Sequence, residues 1–196
     1  MKAIILLTTL KKSGTSNTET LVEFLVPYLK EQKIETEIIK TVEHAIIPGT
    51  YIDMGEGDEW QPIYNKLLAA DIIIFATPIW WGSHSSETQK VIERLDEVND
   101  IVMSGKESPL ADKAVGIVIT GDSDGSQHII GTISNFVNGI GMFVPPYSSL
   151  SVQAEEHAKK SNTSKDVLMK KYKKEYADTA QTMAKQLARF AAKRLK

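Results

Sequence analysis

The sequence predicts a doubly wound α/β domain, a five-stranded parallel sheet in the order 2-1-3-4-5 with helices on both faces. Three observations carry that expectation. Apolar, β-branched runs recur at KAIILLT, IETEIIK, DIIIFAT and AVGIVIT, with a weaker one at SLSVQA. Helical patterns fill the intervals between them, and alternation of strand and helix produces a layered α/β fold. The first, third and fourth runs are apolar without a polar alternate, as strands are when a parallel sheet is covered on both faces. Right-handed crossovers then restrict the topology, and the order 2-1-3-4-5 puts a ligand crevice at the carboxyl ends of strands one and three.

Taken in order, MKAIILLTTL reads as a first strand. Its apolar run is far below the ~20 residues a membrane helix needs, and no small-residue cleavage pattern follows, so a cytoplasmic protein is expected. Over 18–31, Leu21, Phe24 or Leu25, and Tyr28 share a helical face, and Pro27 is expected to kink that helix or end it early. Asp58 and Gln61 have capping-box spacing for a helix running through Ala69. Residues 84–99 form another helix, with Val91, Ile92, Leu95 and Val98 inward. Tyr172, Tyr176, Ala180, Met183, Leu187 and Phe190 fall at helical spacing in one long closing helix, about 164–194, whose basic last turns suit the helix dipole. No internal repeat or low-complexity linker divides the chain, so residues 1–196 are read as a single domain.

Composition removes several functions. The 196 residues are 42% hydrophobic and 24% charged, which suits one globular domain. Basic and acidic residues number 23 and 25, for a net charge of −2, so nothing electrostatic favours a nucleic-acid or anionic-membrane partner. Cysteine is absent, which excludes disulfides, thiolate nucleophiles and cysteine-ligated metal centres. Redox chemistry would have to come from a bound cofactor.

The loops after strands one, three and four therefore draw the functional reading. TTLKKSGTSNTETL brings hydroxyls, Asn17 and Gly14 to a helix N-terminus, where unpaired N–H groups attract an anion. It holds neither a Walker loop nor the dinucleotide pattern G-x-G-x-x-G, and suits a phosphate monoester held without metal. The alternative is that Ser16 or Asn17 only caps the helix. In TPIWWGSHSSETQK, Pro78 fixes the strand exit, Gly82 permits a tight turn, and the indoles of Trp80 and Trp81 can lie against a planar aromatic ligand. The alternative there is a core cap and a subunit contact. TGDSDGSQH offers backbone groups to a ligand edge, while Asp124 reads equally as the N-cap of the next helix. A calcium loop is rejected, because Ile133 stands where the twelfth-position carboxylate would be. His128 is the nearest histidine and is left out of the chemistry.

On these three loops, in this order and on these elements, the sequence resembles the flavodoxin-like NAD(P)H-dependent FMN reductase family. The PIWWGS…KVIERLD segment carries most of the resemblance, which extends to about residue 150. It implies FMN phosphate contacts from Thr9, Lys11, Ser16, Asn17 and Thr18. It implies ring or ribityl contacts from Pro78, Ile79, Trp80, Trp81 and Gly82, with Gly121, Asp122, Asp124 and Gly125 on the far side. No metal is expected.

The implied activity is hydride transfer from NAD(P)H to the flavin and on to a small acceptor: a quinone, an azo or nitro aromatic, or free flavin. No side chain need act as base or nucleophile. The long segment PGTYIDMGEGDEW is expected to be a lid beside the site. Surplus aromatic surface at Trp80 and Trp81 suggests a homodimer. The alternatives are a flavodoxin-type electron carrier that does not oxidise NAD(P)H, which the near-neutral charge and long basic helix disfavour, and a cofactor-free interaction protein.

Overall fold

The computed structural model describes residues 1–158, 161 and 163–194, without the side chains of residues 193 and 194. Five strands, β1 (Lys2–Leu7), β2 (Glu35–Lys40), β3 (Ile72–Pro78), β4 (Ala114–Gly121) and β5 (Ser149–Gln153), form one parallel sheet in the order β2-β1-β3-β4-β5. The seven helices among the described residues are α1 (Asn17–Glu31), α2 (Trp60–Leu68), α3 (Ser86–Arg94), α4 (Asp96–Met103), α5 (Ser126–Gly139), α6 (Lys165–Glu175) and α7 (Ala177–Arg194).

The lack of polar alternation in the central strands follows from two cores. Ile4 and Leu6 of β1, with Ile73 and Phe75 of β3, meet Trp60, Ile63, Leu67, Val91 and Ile133 from α2, α3 and α5. Ala3, Ile5 and Leu7 point the other way, onto Leu21 and Leu25 of α1 and Tyr172, Met183 and Leu187 of α6 and α7. Successive strand side chains alternate faces, so a sheet buried on both sides demands an apolar residue at every position.

The structure decides local readings at five places. Pro27 lies inside α1 without ending it. Pro27 sits on the exposed side of the helix, away from the sheet. The helix expected over 84–99 is two, broken at Leu95 (φ −96°, ψ 2°), which stays buried in the core with Val91 and Val98. The closing helix is likewise two. Tyr176 (φ −125°, ψ 6°) interrupts it, and its ring meets Tyr172 edge-on at 6.4 Å. The basic end from Lys193 onward lies outside the described side chains.

Asp58 is not the N-cap of α2. That position belongs to Glu59, which makes no side-chain cap, and Asp58 instead forms a buried bidentate pair with Arg94, at 2.9 and 2.6 Å. Arg94 spends its remaining donors on the carbonyls of Ile47, Tyr51 and Ile52. Burial pushes the Asp58 carboxyl up, but Arg94 and the N–H groups of Ile47, Trp60 and Met54 more than reverse this, bringing it down to about 2. The segment expected to be a lid is therefore fastened from below by a buried ion pair, and none of its residues lines the cavity described next.

Candidate active site

The carboxyl ends of β1 and β3 are joined by a network of buried hydroxyls. Thr8 Oγ1 lies 2.8 Å from the Ala76 carbonyl and 2.6 Å from Thr88 Oγ1, and Thr88 donates to Thr77 Oγ1 at 2.9 Å. Ser85 donates to the Thr8 carbonyl at 2.6 Å while capping α3 through the Thr88 N–H. All four side chains are essentially inaccessible, so two strand ends and one helix start are fixed relative to each other. The loops that follow leave from a rigid base.

The first loop turns into α1 through Ser16, whose hydroxyl accepts from the Glu19 N–H at 3.3 Å and donates to Thr9 Oγ1 at 3.0 Å. Ser16 is thus a cap, and the Asn17 and Thr18 N–H groups open the helix beside it without intrahelical acceptors. The Thr18 hydroxyl pairs with Thr120 Oγ1 at 2.7 Å, and Lys11 Nζ donates to the Thr15 carbonyl at 2.7 Å while its side chain stays exposed. A cation, hydroxyls and a helix N-terminus converge there, the donor set an anion requires.

The second loop is a tight turn. Trp80 and Ser83 exchange backbone hydrogen bonds of 2.8 and 2.9 Å across Trp81 and Gly82, which take φ of +50° and +75°. Positive φ at both central residues is the hairpin geometry normally filled by Asn-Gly, and a tryptophan there is conformationally costly. The turn holds Trp81 at 99% exposure and Trp80 at 42% on the rim of the crevice.

In the third loop, Gly121 leaves no room for a side chain, because Ile79 packs within 2.7 Å of where its Cβ would stand. Gly125, at φ +142°, backs onto the main chain of Gly82 and so links the third loop to the second.

These loops enclose a cavity of about 620 Å³. Thr9, Lys11, Ser16, Asn17 and Thr18 line one end, Pro78, Ile79, Trp80 and Trp81 another, and Gly121 and Asp122 a third side. Gly82, Asp124 and Gly125 are not among its lining. The two glycines brace the loops from behind, and the Asp124 carboxylate accepts from the neighbouring Gly125 N–H at 2.7 Å. Asp124 is not the N-cap of α5 either; Gly125 holds that place. His128 lies exposed on α5, away from the lining.

A family model described as NADPH-dependent FMN reductase matches residues 1–157. The chain belongs to that family. It is 33% identical over 156 residues to 8-demethyl-8-aminoriboflavin-5′-phosphate synthase of Streptomyces davaonensis, an alignment covering 74% of this chain and 61% of that protein. It is 30% identical over 151 residues to a protein described as divalent metal cation transporter MntH of Mycobacterium bovis, covering 74% of this chain and 22% of the relative. The chain thus spans about three-fifths of the first relative's length and about a fifth of the second's. Among solved structures, RosB with bound intermediate 8-demethyl-8-formylriboflavin-5′-phosphate superposes with a TM-score of 0.80 at 26% identity, covering 98% of this chain and 79% of that one. No helix among the described residues is long and apolar enough to cross a membrane.

This member of the FMN reductase family has site residues that the sequence did not disclose. Leu10, Thr120 and Ser123 line the cavity as neighbours of expected positions. His157 lines it from a short helical turn after β5, far along the chain, and is 7% exposed. Its Nδ1 lies 3.1 Å from the Gly121 carbonyl, its Nε2 lies 2.7 Å from Tyr172 Oη, and its own carbonyl accepts from Asn17 Nδ2 at 3.0 Å. Burial lowers the His157 imidazole below its ordinary value despite the Gly121 carbonyl, and burial raises the Tyr172 phenol. No sequence pattern marks this residue, since its partners are remote and the weak final strand gave its neighbourhood little definition.

Proposed function

We propose that the protein is an FMN-dependent NAD(P)H oxidoreductase acting on a small acceptor such as a quinone, an azo or nitro aromatic, or free flavin. The observation that carries this reading is the make-up of the cavity. One end gathers Lys11, the hydroxyls of Thr9, Ser16 and Thr18, and the α1 N-terminus, while the other is walled by Ile79, Trp80 and Trp81. Its volume of about 620 Å³ falls within the ~300–1,000 Å³ of small-molecule sites. A phosphate monoester with a flat, extended ring system matches both ends. The RosB structure, which holds a flavin 5′-phosphate intermediate, supports the same ligand class.

FMN bound here would supply hydride acceptance from a nicotinamide and delivery to a second substrate. The chain's own work is positioning. Lys11, Asn17 and the first amides of α1 would hold the phosphate, with Thr9, Ser16 and Thr18 around it. Pro78, Ile79 and the indoles would flank the ring, and Gly121 would admit it closely because Ile79 already fills the space behind. The exposed face of Trp81 is proposed to pack in a two-fold dimer that walls the site.

The test is FMN titration followed by ring-fluorescence quenching, then steady-state NADPH and NADH oxidation with a quinone acceptor. Binding with turnover supports the reading. Binding without turnover points to an electron carrier, and no binding overturns the assignment.

A further inference from the structure

The hydrogen bonds around His157 can be assigned by elimination. The Gly121 carbonyl can only accept, so Nδ1 must carry the proton. In a neutral ring, Nε2 is then an acceptor, and Tyr172 must donate its hydroxyl proton to it across 2.7 Å. Tyr172 is fully buried, against Phe24 of α1 at 5.7 Å and Tyr176 at 6.4 Å. If the ring became an imidazolium, both nitrogens would donate, and the Tyr172 proton would lose the only acceptor it has among the described residues.

The arrangement spans the site. Through its ring, His157 holds Gly121, where the third loop leaves β4 and where Ala154 N–H also donates, at 2.9 Å. Its carbonyl holds the Asn17 side chain at the start of α1, and through Tyr172 it is anchored on α6. We infer that His157 is a positioning residue, which as the neutral, Nδ1-protonated imidazole holds the third loop and the anion loop in register for a flavin phosphate and releases them when protonated. The inference rests on the flavin reading of the cavity.

Among the described residues, Glu156 and Lys171 are the charged groups that act on the ring. Glu156 is its neighbour, and Lys171 on α6 pairs with Glu156 at 3.2 Å and Glu175 at 3.3 Å. Lys11 and Asp122 share the cavity lining, and Tyr172 closes the ring's far edge. Burial outweighs the favourable charge of Glu156 and the carbonyls of Gly121 and Val152, so the neutral form dominates at neutral pH. An imidazole depressed by folding is still mostly neutral at its ordinary value of 6.5, so the order it maintains is present there and is lost as pH falls further, through its own lower value.

The experiment has two parts. Long-range proton–nitrogen correlation spectra of the intact protein, assigned with His157→Phe, report the tautomer and titration of His157. The expected result is an Nδ1–H tautomer that titrates below pH 6.5. An Nε2–H tautomer, or an ordinary titration, overturns the inference. FMN titrations between pH 7.5 and 5.5 then compare the wild type with His157→Asn, whose amide retains the bond to Gly121, and His157→Phe.

Below pH 6.5 the wild type should lose affinity more steeply than His157→Asn, which keeps the ligand's own phosphate titration but lacks the imidazole. His157→Phe should bind at least tenfold more weakly at pH 7.5, with the Asn variant intermediate. Parallel pH profiles for wild type and His157→Asn overturn the inference while leaving the flavin reading intact. A wild type that binds no FMN overturns the flavin reading and the inference with it.

Discussion

Replacing Gly125 with Ala tests whether the second and third loops are fastened back to back. The added Cβ would stand 2.7 Å from Gly82 Cα and 2.8 Å from its carbonyl carbon and oxygen, all of them backbone atoms that cannot rotate away. Gly125 also holds φ +142°, a region essentially closed to residues with a side chain, at a cost of about 1–3 kcal/mol. Overpacking adds about 1–3 kcal/mol. The expected loss is about 2–6 kcal/mol of stability if the loops stay joined, less if they part. Parting would widen the space between Trp80 and Gly121 and weaken FMN at least tenfold. Urea unfolding and FMN titration read the two terms. Gly131→Ala is the control: it sits exposed on α5 with open space around it, and should stabilise by up to ~1 kcal/mol. A Gly125→Ala variant within about 0.5 kcal/mol of wild type, with unchanged FMN affinity, would refute the packing argument.

Arg94→Met should cost about 3–5 kcal/mol by chemical denaturation, because it leaves Asp58 buried and unpaired and strips the Ile47, Tyr51 and Ile52 carbonyls of their donor. Since the Asp58 carboxyl falls from 3.8 to about 2, its stabilisation is present above pH 3.8 and lost as pH drops through about 2. That is about 2 kcal/mol, and Asp58→Asn should remove this part of the acid slope. The double variant Ser16→Ala, Thr18→Ala should bind FMN more weakly by roughly 1.5–3 kcal/mol for each charge-assisted hydrogen bond lost, read by fluorescence titration. Trp81→Asn relieves the positive φ and should raise stability by about 0.5–1 kcal/mol while slowing flavin reduction in stopped flow. His84→Ala and His128→Ala should leave kcat within about tenfold, or ~1.4 kcal/mol of barrier.

The sheet was legible because its burial is written directly into the strands: a residue apolar at every position can only belong to a strand covered twice. The crevice followed from topology, and eleven of the expected contacts line the cavity because short polar and aromatic loops at those strand ends have nowhere else to go. What the sequence hid were decisions made by distant partners. Periodicity runs unbroken through Leu95 and Tyr176, where a single residue leaves the helix and the same faces stay buried. Asp58 had the spacing of a cap but found a guanidinium 36 residues away. His157 depends on Gly121 and Tyr172, and the Thr8–Thr77–Ser85–Thr88 network on two strands and a helix; neither has a local pattern. Gly125 owes its lack of a side chain to the Gly82 backbone behind it, and Gly82 owes its own to the positive φ of its turn; a contact 43 residues away leaves no local pattern.

The most direct test of the account is the flavin itself. Purified protein, supplied with FMN and then freed of excess, should show the ring absorption between about 400 and 500 nm, with released FMN and not FAD by mass spectrometry, as expected of a hydroxyl-rich phosphate loop without a dinucleotide pattern. Adding NADPH anaerobically should bleach that absorption, and a quinone should restore it. Protein that retains no flavin after reconstitution, or a bound flavin that NADPH leaves oxidised, would contradict the account.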